Sequence, residues 1–194
     1  MEIAPVTLSG RFVRLEPLQK KHAFDLFAAA QDPVLWTYMS AHLNDSPSAI
    51  EAWIYAALRE QAVGMALPFA IIDLASGSAV GSTRYMTIAI RDRGLEIGWT
   101  WLSPLVQRTG VNTECKYLLL RHAFETLGAI RVQLKTHHEN VKSQRAIERI
   151  GATREGVLRN HMIMPDGSYR HSVYYSIIES EWPRVKGRLE AKMQ

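Results

Sequence analysis

The stretch from Leu95 to Leu127 constrains the fold more than any other part of the chain, because a strand pattern and a helix pattern meet there. From Leu95 to Leu102, large apolar residues alternate with Glu96 and small residues, which predicts a strand with one apolar face. The pair Ser103-Pro104 ends this strand, since proline cannot donate a backbone hydrogen bond. From Cys115 to Leu127, apolar residues recur at steps of three and four, which predicts a helix. The residues expected on the apolar face of the strand are Leu95, Ile97, Trp99 and Trp101.

The loop between these two elements, Gln107-Arg108-Thr109-Gly110-Val111-Asn112, has the composition of an anion-binding site. A helix start leaves about four backbone N–H groups without intrahelical partners and carries roughly half a positive charge. Gly110 allows another group to approach the backbone closely, and Arg108 adds a mobile positive charge. The alternative interpretation is an ordinary strand-to-helix turn in which Asn112 is the N-cap.

The length of 194 residues favours one domain with a substantial core. No run approaches the roughly 18 apolar residues of a membrane span, and the N-terminus lacks the pattern of a signal peptide, so we expect no membrane partner. The single cysteine, Cys115, excludes a disulfide framework, and we therefore expect a reducing cytoplasm. A net charge of +4 suits a polyanionic small ligand but is too small to indicate nucleic-acid binding.

The remaining patterns alternate between helix and strand and predict an α+β domain. The N-cap candidate Ser46 precedes Pro47 at the expected first helical position, and Gly151 is a helix-terminating glycine. Predicted strands cover residues 11–15, 67–74, 79–90, 95–102, 129–137, 154–164 and 169–178, and predicted helices cover 20–31, 46–61, 112–127, 140–150 and 181–193. We expect a single domain over residues 10–180 and a C-terminal helical tail over residues 181–194.

Several motifs resemble those of the GCN5-related N-acetyltransferases (GNAT). Gln107-x-x-Gly110-x-Asn112 is similar to the acyl-coenzyme A loop of that family, although Asn112 stands where the family has a small residue. Asn140-x-x-Ser143, followed by a short helix and a glycine, is similar to its second signature. Asp166-Gly-Ser-Tyr-Arg170 and Glu181-Trp182-Pro183 resemble the branch that contains the ribosomal-protein acetyltransferases RimJ and RimL. The resemblance implies a mostly antiparallel mixed sheet of about seven strands, flanked by helices and splayed at the acetyl-CoA site.

The resemblance also implies how acetyl-CoA binds as a co-substrate. Backbone amides of the loop hold the pyrophosphate, and the pantetheine arm pairs with the end of the Leu95 strand, where that strand separates from its neighbour. The implied loop residues are Gln107, Arg108, Thr109, Gly110, Val111, Asn112 and Thr113, and the implied strand residues are Trp101, Leu102 and Ser103. Asn140 and Ser143 are the further implied contacts.

Glu96 is the candidate general base, because it is the one charge on its strand and desolvation makes a carboxylate a better proton acceptor. The alternative is a salt bridge to Arg84 or Arg91 on the neighbouring strand. His137 and His138 are rival bases, but adjacent residues in an extended segment face opposite ways, so at most one of them points inward.

Many family members carry a proton-donating tyrosine where this chain has Ile147. The resemblance to the RimL branch implies Ser143 as the candidate proton donor instead, through a hydrogen bond to the coenzyme sulfur. The alternative for Ser143 is a capping hydroxyl in the first helical turn. Asn140 orients the pantetheine amide, caps the helix, or does both. The candidate lining residues of the acceptor site are Trp36, Tyr38 and Trp53, with core packing the favoured alternative for Trp53.

No metal site is predicted, since His137, His138 and Glu139 are strand neighbours that should not converge on one ion. The resemblance implies an acetyl-CoA-dependent N-acetyltransferase in which a primary amine attacks the thioester in a ternary complex. The amine belongs to a protein N-terminus or to a small molecule. The alternatives are a non-catalytic acyl-CoA sensor on the same fold and a phosphate-binding domain unrelated to coenzyme A. The oligomeric state stays open, a homodimer included.

Overall fold

A computed structural model describes all 194 residues and shows one eight-stranded sheet flanked by five α-helices. The strands are β1 (Leu8–Ser9), β2 (Val13–Pro17), β3 (Ala66–Asp73), β4 (Ala79–Ala89), β5 (Gly94–Leu102), β6 (Arg131–His137), β7 (Thr153–Ile163) and β8 (Tyr169–Ile178). The helices are α1 (Ala23–Ala29), α2 (Pro47–Ala62), α3 (Gly110–Arg121), α4 (Val141–Arg149) and α5 (Trp182–Ala191). None of the helices is both long and apolar enough to cross a membrane.

The sheet has the order β1-β2-β3-β4-β5-β6-β8-β7, and only the β5–β6 pair is parallel. The predicted mixed, mostly antiparallel α+β fold is therefore confirmed. The eighth strand is β1, a two-residue strand that pairs with β2 and is too short to produce a sequence pattern.

Strands β5 and β6 separate soon after they begin. They pair at Gly94–Arg131, Leu95–Val132 and Glu96–Gln133, and at no later position. Beyond Glu96, β5 continues to Leu102 without β6 beside it, so one edge of β5 is open. This is the predicted splay in the sheet.

A β-bulge at Trp99 divides β5 into two halves whose apolar side chains lie on opposite faces of the sheet. Trp99 has a φ of 49°, and the β4–β5 register shifts by one residue there. Because side chains alternate along a strand, the extra residue turns Trp101 to the face opposite Leu95 and Ile97. Trp101 packs there against Trp36, with 5.3 Å between ring centroids. The prediction of one continuous apolar face from Leu95 to Trp101 was wrong.

Each face of the sheet has its own apolar core. Helices α3, α4 and α5 cover one face, and α1 and α2 cover the other. Helix α5 contributes Trp182, Val185 and Leu189, all buried, to the first core. The predicted C-terminal tail therefore packs into the domain, through an apolar stripe that its many polar residues obscure in the sequence.

Helix α3 is fixed to the N-terminal segment by one carboxylate. The buried Glu114 accepts hydrogen bonds from the backbone N–H groups of Arg11, Phe12 and Val13, at 2.7, 2.6 and 2.8 Å. This contact holds the first turns of α3 against the start of β2. It therefore positions the loop that precedes α3.

Candidate active site

The start of α3 presents unpaired backbone amides. Thr109 is the N-cap, and its side chain accepts a hydrogen bond from the N–H of Val111 at 3.2 Å. The N–H groups of Arg108, Thr109, Gly110 and Asn112 donate no hydrogen bond within the chain. Arg108 has a φ of 62°, which turns the chain sharply before the helix. These amides fit the anion-binding arrangement expected of a helix N-terminus, with the cap at Thr109 and not at Asn112.

Gly110 lies against the ring of Phe12. A Cβ atom placed on Gly110 would lie 3.0 Å from two carbons of the Phe12 ring. The absence of a Cβ at Gly110 leaves room for the Phe12 ring. Close approach of an anion to the Gly110 backbone stays a prediction.

Two cations border the loop. Arg108 is exposed, and the Lys142 Nζ on α4 donates to the Gln107 Oε1 at 2.5 Å. The Nε2 of Gln107 in turn donates to the carbonyl oxygen of Leu102 at 2.9 Å. Lys142 was missed in the sequence, although it lies inside the Asn140-x-x-Ser143 motif that brings α4 beside the loop. An anion at the helix start would meet both positive charges.

The end of β5 has fewer free backbone groups than expected. The Ser103 N–H donates to the Val80 carbonyl oxygen at 2.8 Å, and the Leu102 carbonyl oxygen accepts from Gln107. Pairing of a pantetheine arm with Trp101, Leu102 and Ser103 stays a prediction. The open β5 edge before Ser103 offers it the most room.

Glu96 lies at the point where β5 and β6 separate, and it is only 1% exposed. Its Oε2 accepts from the Gln133 Nε2 at 2.7 Å and from the Thr87 Oγ1 at 3.5 Å. Its Oε1 lies 3.3 Å from the Lys135 Nζ but accepts no well-aligned hydrogen bond. One carboxylate oxygen is thus anchored, and the other is buried beside Lys135 without a hydrogen-bond partner. The expected salt-bridge partners Arg84 and Arg91 were wrong, since the ion pair is with Lys135 on β6.

Polar side chains from β6, β7 and β8 continue this face beyond Glu96. The His161 Nδ1 lies 2.9 Å from the Ser172 Oγ, and its Nε2 lies 3.3 Å from the Tyr174 hydroxyl. Burial raises the pKa of Tyr174, and the charge of Glu96 raises it further. Burial lowers the pKa of His161, and the charges of Lys135 and Arg170 add to that shift. His161 also lines an open cleft of about 760 Å³ at the β7 bulge.

The members of this polar face, hereafter the acceptor face, are Glu96, Gln133, Lys135, His137, His161, Arg170, Ser172 and Tyr174. The sequence identified Glu96 and His137 among them. Lys135 alternates with apolar residues on β6, and this period-two pattern indicates that Lys135 lies on the face of the strand opposite those apolar residues. The β7 and β8 members gave no such signal, because their arrangement depends on a long-range strand pairing.

His137 and His138 do not point in opposite directions. Their rings stack at 4.5 Å between centroids, because β6 ends at His137 and the chain turns there. Ligand atoms of His137, His138 and Glu139 consequently lie within 4.8 Å of one another, so the geometric argument against a metal site was wrong. The absence of a metal stays a prediction, supported by the positive charge of Arg170, which lowers the pKa of His137 and repels a cation.

The first turn of α4 combines a cap with a free hydroxyl. The Asn140 Oδ1 accepts from the Ser143 N–H at 3.0 Å, so Asn140 is the N-cap. The Ser143 hydroxyl has no hydrogen-bond partner within the chain. Ile147 is buried in the core, so its position carries no proton donor.

The three predicted acceptor-site aromatics separate into two groups. Trp36 and Trp53 are buried in the core beneath α1 and α2, so Trp36 does not line the site and Trp53 follows its favoured alternative. Tyr38 is half-buried, and its ring lies 5.0 Å from the His137 ring. Tyr38 alone borders the acceptor face.

Two adjacent residues of α3 have strongly perturbed protonation. Burial raises the pKa of Cys115 to about 11, so its thiol stays protonated near pH 7 and is a poor nucleophile. Burial lowers the pKa of Lys116 to about 8. The Nζ of Lys116 donates to the Thr100 Oγ1 at 2.6 Å, next to the β5 bulge.

The site thus combines unpaired helix-start amides, two separating strands and a buried carboxylate at the point where the strands separate. The chain matches the family model described as acetyltransferase (GNAT) domain over residues 13–153. It belongs to this family, whose members use acetyl-CoA as a co-substrate.

The relatives of the chain agree with this assignment. A crystal structure of a GCN5-related N-acetyltransferase from Brucella melitensis superimposes with a TM-score of 0.94 at 33% identity, covering 99% of this chain and 87% of the other. The Bacillus subtilis (strain 168) protein YdaF, named provisionally as a ribosomal N-acetyltransferase, is 32% identical over 113 residues, which cover 58% of this chain and 61% of YdaF. RimJ of Mycobacterium smegmatis, in complex with CoA-disulfide, shares the fold with a TM-score of 0.83 at 22% identity, covering 97% and 95%. The chain spans about half to three fifths of the length of the curated relatives it matches.

Proposed function

We propose that the enzyme transfers the acetyl group of acetyl-CoA to a primary amine by direct attack in a ternary complex. One observation supports this most strongly. The gap between β5 and β6 has the unpaired amides of the α3 start at one end and the buried Glu96 carboxylate at the other. A thioester held in this gap would face an amine on the acceptor face.

The coenzyme would be held by groups on three elements. The unpaired amides from Arg108 to Asn112 fit the pyrophosphate, with Lys142 as a second cation. The open edge of β5 fits the pantetheine arm. Acetyl-CoA supplies the activated acetyl group, and binding beside the amine lowers the entropic barrier to attack.

Glu96 would accept a proton from the substrate ammonium, directly or through a water molecule. Gln133 donates to its Oε2 at 2.7 Å, which fixes the carboxylate, and Oε1 accepts no hydrogen bond within the chain. As the new N–C bond forms, the C–S bond breaks, and the leaving thiolate needs a proton. The unpartnered hydroxyl of Ser143 is our candidate donor, with the proton replaced from solvent.

The acceptor would be a protein N-terminus or a small amine. The name of YdaF and the fold shared with RimJ support a protein N-terminus as the first choice to test.

The test is thiol release from acetyl-CoA with a panel of N-terminal peptides and small amines, with product masses recorded. We expect one acceptor class to be acetylated at its amine. Tight acetyl-CoA binding without turnover across the panel would favour the sensor alternative, and binding of ATP in preference to acetyl-CoA would contradict the coenzyme site.

A further inference from the structure

Arg170 is a buried cation without an anionic partner. It is 8% exposed, and its Nε donates to the Ser172 Oγ at 3.1 Å. Its Nη1 donates to the carbonyl oxygen of Tyr38 at 3.4 Å, so both acceptors are neutral. No carboxylate oxygen lies within 4.0 Å of the guanidinium. The other buried arginine, Arg84, pairs with Glu60 at 2.7 Å.

The surroundings of Arg170 do not balance its charge. Glu96 is the one carboxylate whose charge acts on it, and Glu96 already faces Lys135. Burial lowers the pKa of His137 and of His161, and nearby positive charges lower both further. Both histidines are therefore neutral near pH 7, and the acceptor face keeps one uncompensated positive charge.

An uncompensated buried charge is costly, and folded proteins normally pair it. A guanidinium is also suited to bind a carboxylate through two parallel hydrogen bonds. Only two of the five N–H donors of Arg170 hydrogen-bond to the protein, and one of these bonds is long, at 3.4 Å. Its Nη2 has no partner within the chain and is not among the fully buried atoms that lack one, so it keeps some exposure.

We propose that the acceptor amine also carries a carboxylate, and that Arg170 binds this carboxylate while the amine lies at Glu96. This inference rests on the proposed acetyl transfer and names its substrate class. Gln133 and His137 mark the two ends of the acceptor face on β6, since they pair with Glu96 and with Ser172, respectively. Four residue steps of strand separate them by ~13 Å, and the Arg170 guanidinium lies at the Ser172 end, because its Nε donates to the Ser172 Oγ. The spacing favours a carboxylate several bonds from the amine, as in an ω-amino acid or an acidic side chain near a peptide N-terminus.

The experiment uses matched acceptors that differ only in this group. The small pairs are glycine, β-alanine and 4-aminobutyrate, each against its amide, and the peptide pairs carry glutamate or glutamine at the second position. We expect the carboxylate member of at least one pair to have a KM about 10- to 100-fold lower, the ratio for a hydrogen bond to a charged group. A lower KM for the carboxylate member of a small pair would indicate that the acceptor is a small molecule. A lower KM only within the peptide pairs would indicate that the acceptor is a peptide.

Arg170→Gln should remove this preference by raising the KM of the carboxylate member alone, with kcat changed little. Arg170→Lys keeps the positive charge and should retain part of the preference. Calorimetry with acetyl-CoA on both variants checks that the coenzyme site is intact, and thermal unfolding checks the fold.

Two results would overturn the proposal. In one, the wild-type enzyme acetylates carboxylate and amide members equally well. In the other, Arg170→Gln raises the KM of both members alike, as expected if Arg170 only holds the backbone at Tyr38.

If no amine is acetylated, the same pairs are titrated into the enzyme by calorimetry. Carboxylate-dependent binding lost in Arg170→Gln would support the anion site and contradict only acetyl transfer, and equal binding of acid and amide would contradict the anion site.

Discussion

Replacing Lys116 by methionine should stabilise the protein at neutral pH and lose this effect in alkaline solution. Lys116 is 7% exposed, its Nζ has Thr100 as its hydrogen-bond partner, and no carboxylate lies within 4.0 Å of it. Burial lowers its pKa from 10.5 to about 8. The folded state therefore binds this proton more weakly than the unfolded state does.

The difference between those two pKa values corresponds to roughly 3 kcal/mol of lost stability near pH 7. The full cost is present below pH 8, where the lysine is charged in both states. Stability rises with pH between 8 and 10.5, because only the unfolded state still holds the proton there. Methionine removes the charge, and with it the hydrogen bond to Thr100, which contributes about 1 kcal/mol. The net gain is about 2 kcal/mol near pH 7 and close to zero near pH 10.

Thermal unfolding, followed by circular dichroism, measures the change in stability near pH 7 and near pH 10. Lys116→Met should raise Tm by about 4–8 °C at neutral pH and leave it nearly unchanged near pH 10. Lys20→Met is the matched control, since Lys20 is exposed and should change stability by less than about 0.5 kcal/mol at either pH. A lower Tm for Lys116→Met at neutral pH, or the same rise at both pH values, would refute this reasoning.

Three further substitutions test the proposed site through thiol release and acetyl-CoA calorimetry. Glu96→Gln keeps the shape but cannot accept a proton, so kcat should fall about 100-fold or more with coenzyme affinity unchanged; undiminished activity would place the base elsewhere. Gly98→Ala adds a Cβ 2.9 Å from the Glu96 Oε1 and 2.6 Å from the Met86 Sδ, so displacement of the carboxylate should lower kcat about 10- to 100-fold. Normal kcat in that variant would show that the position of Glu96 is not critical. Lys142→Gln should weaken acetyl-CoA binding about 3- to 10-fold at low salt and less at high salt, and an effect independent of salt would argue against a charge contact.

The local chemistry of the chain was largely readable from the sequence. The cap at Ser46 accepts from the Ala49 N–H as expected, and Gly151 ends α4 with a φ of 100°. These features depend on residues a few positions apart, so a linear pattern contains them. The strand–loop–helix arrangement around Gly110 was predicted for the same reason, although the cap is Thr109, and anion binding by the loop stays a prediction.

The long-range contacts could not be predicted from the sequence. Glu114 lies on a helix whose sequence pattern indicates an apolar buried face. Its carboxylate is nevertheless buried, because it accepts hydrogen bonds from three backbone amides about 100 residues earlier in the chain. Arg170 is in the acceptor face because β8 pairs with β6, and no spacing in its own segment indicates that neighbour. The partner of Glu96 was misassigned for a similar reason, since Lys135 reaches it across a parallel pairing of only three positions.

One physical cause connects the failed predictions with the site. Three β-bulges in the sheet contain a non-glycine residue with positive φ, namely Thr87, Trp99 and Asn160, and each borders the acceptor face or the β5–β6 gap. Such residues cost of order 1 kcal/mol each and persist only where the surrounding structure holds them. Each bulge breaks the period-two pattern, which is why the sequence misplaced Trp101. The same breaks place Thr87 beside the Glu96 carboxylate and His161 beside Tyr174. The sequence pattern therefore fails where the sheet is deformed, and the sheet is deformed where it holds the polar groups of the site.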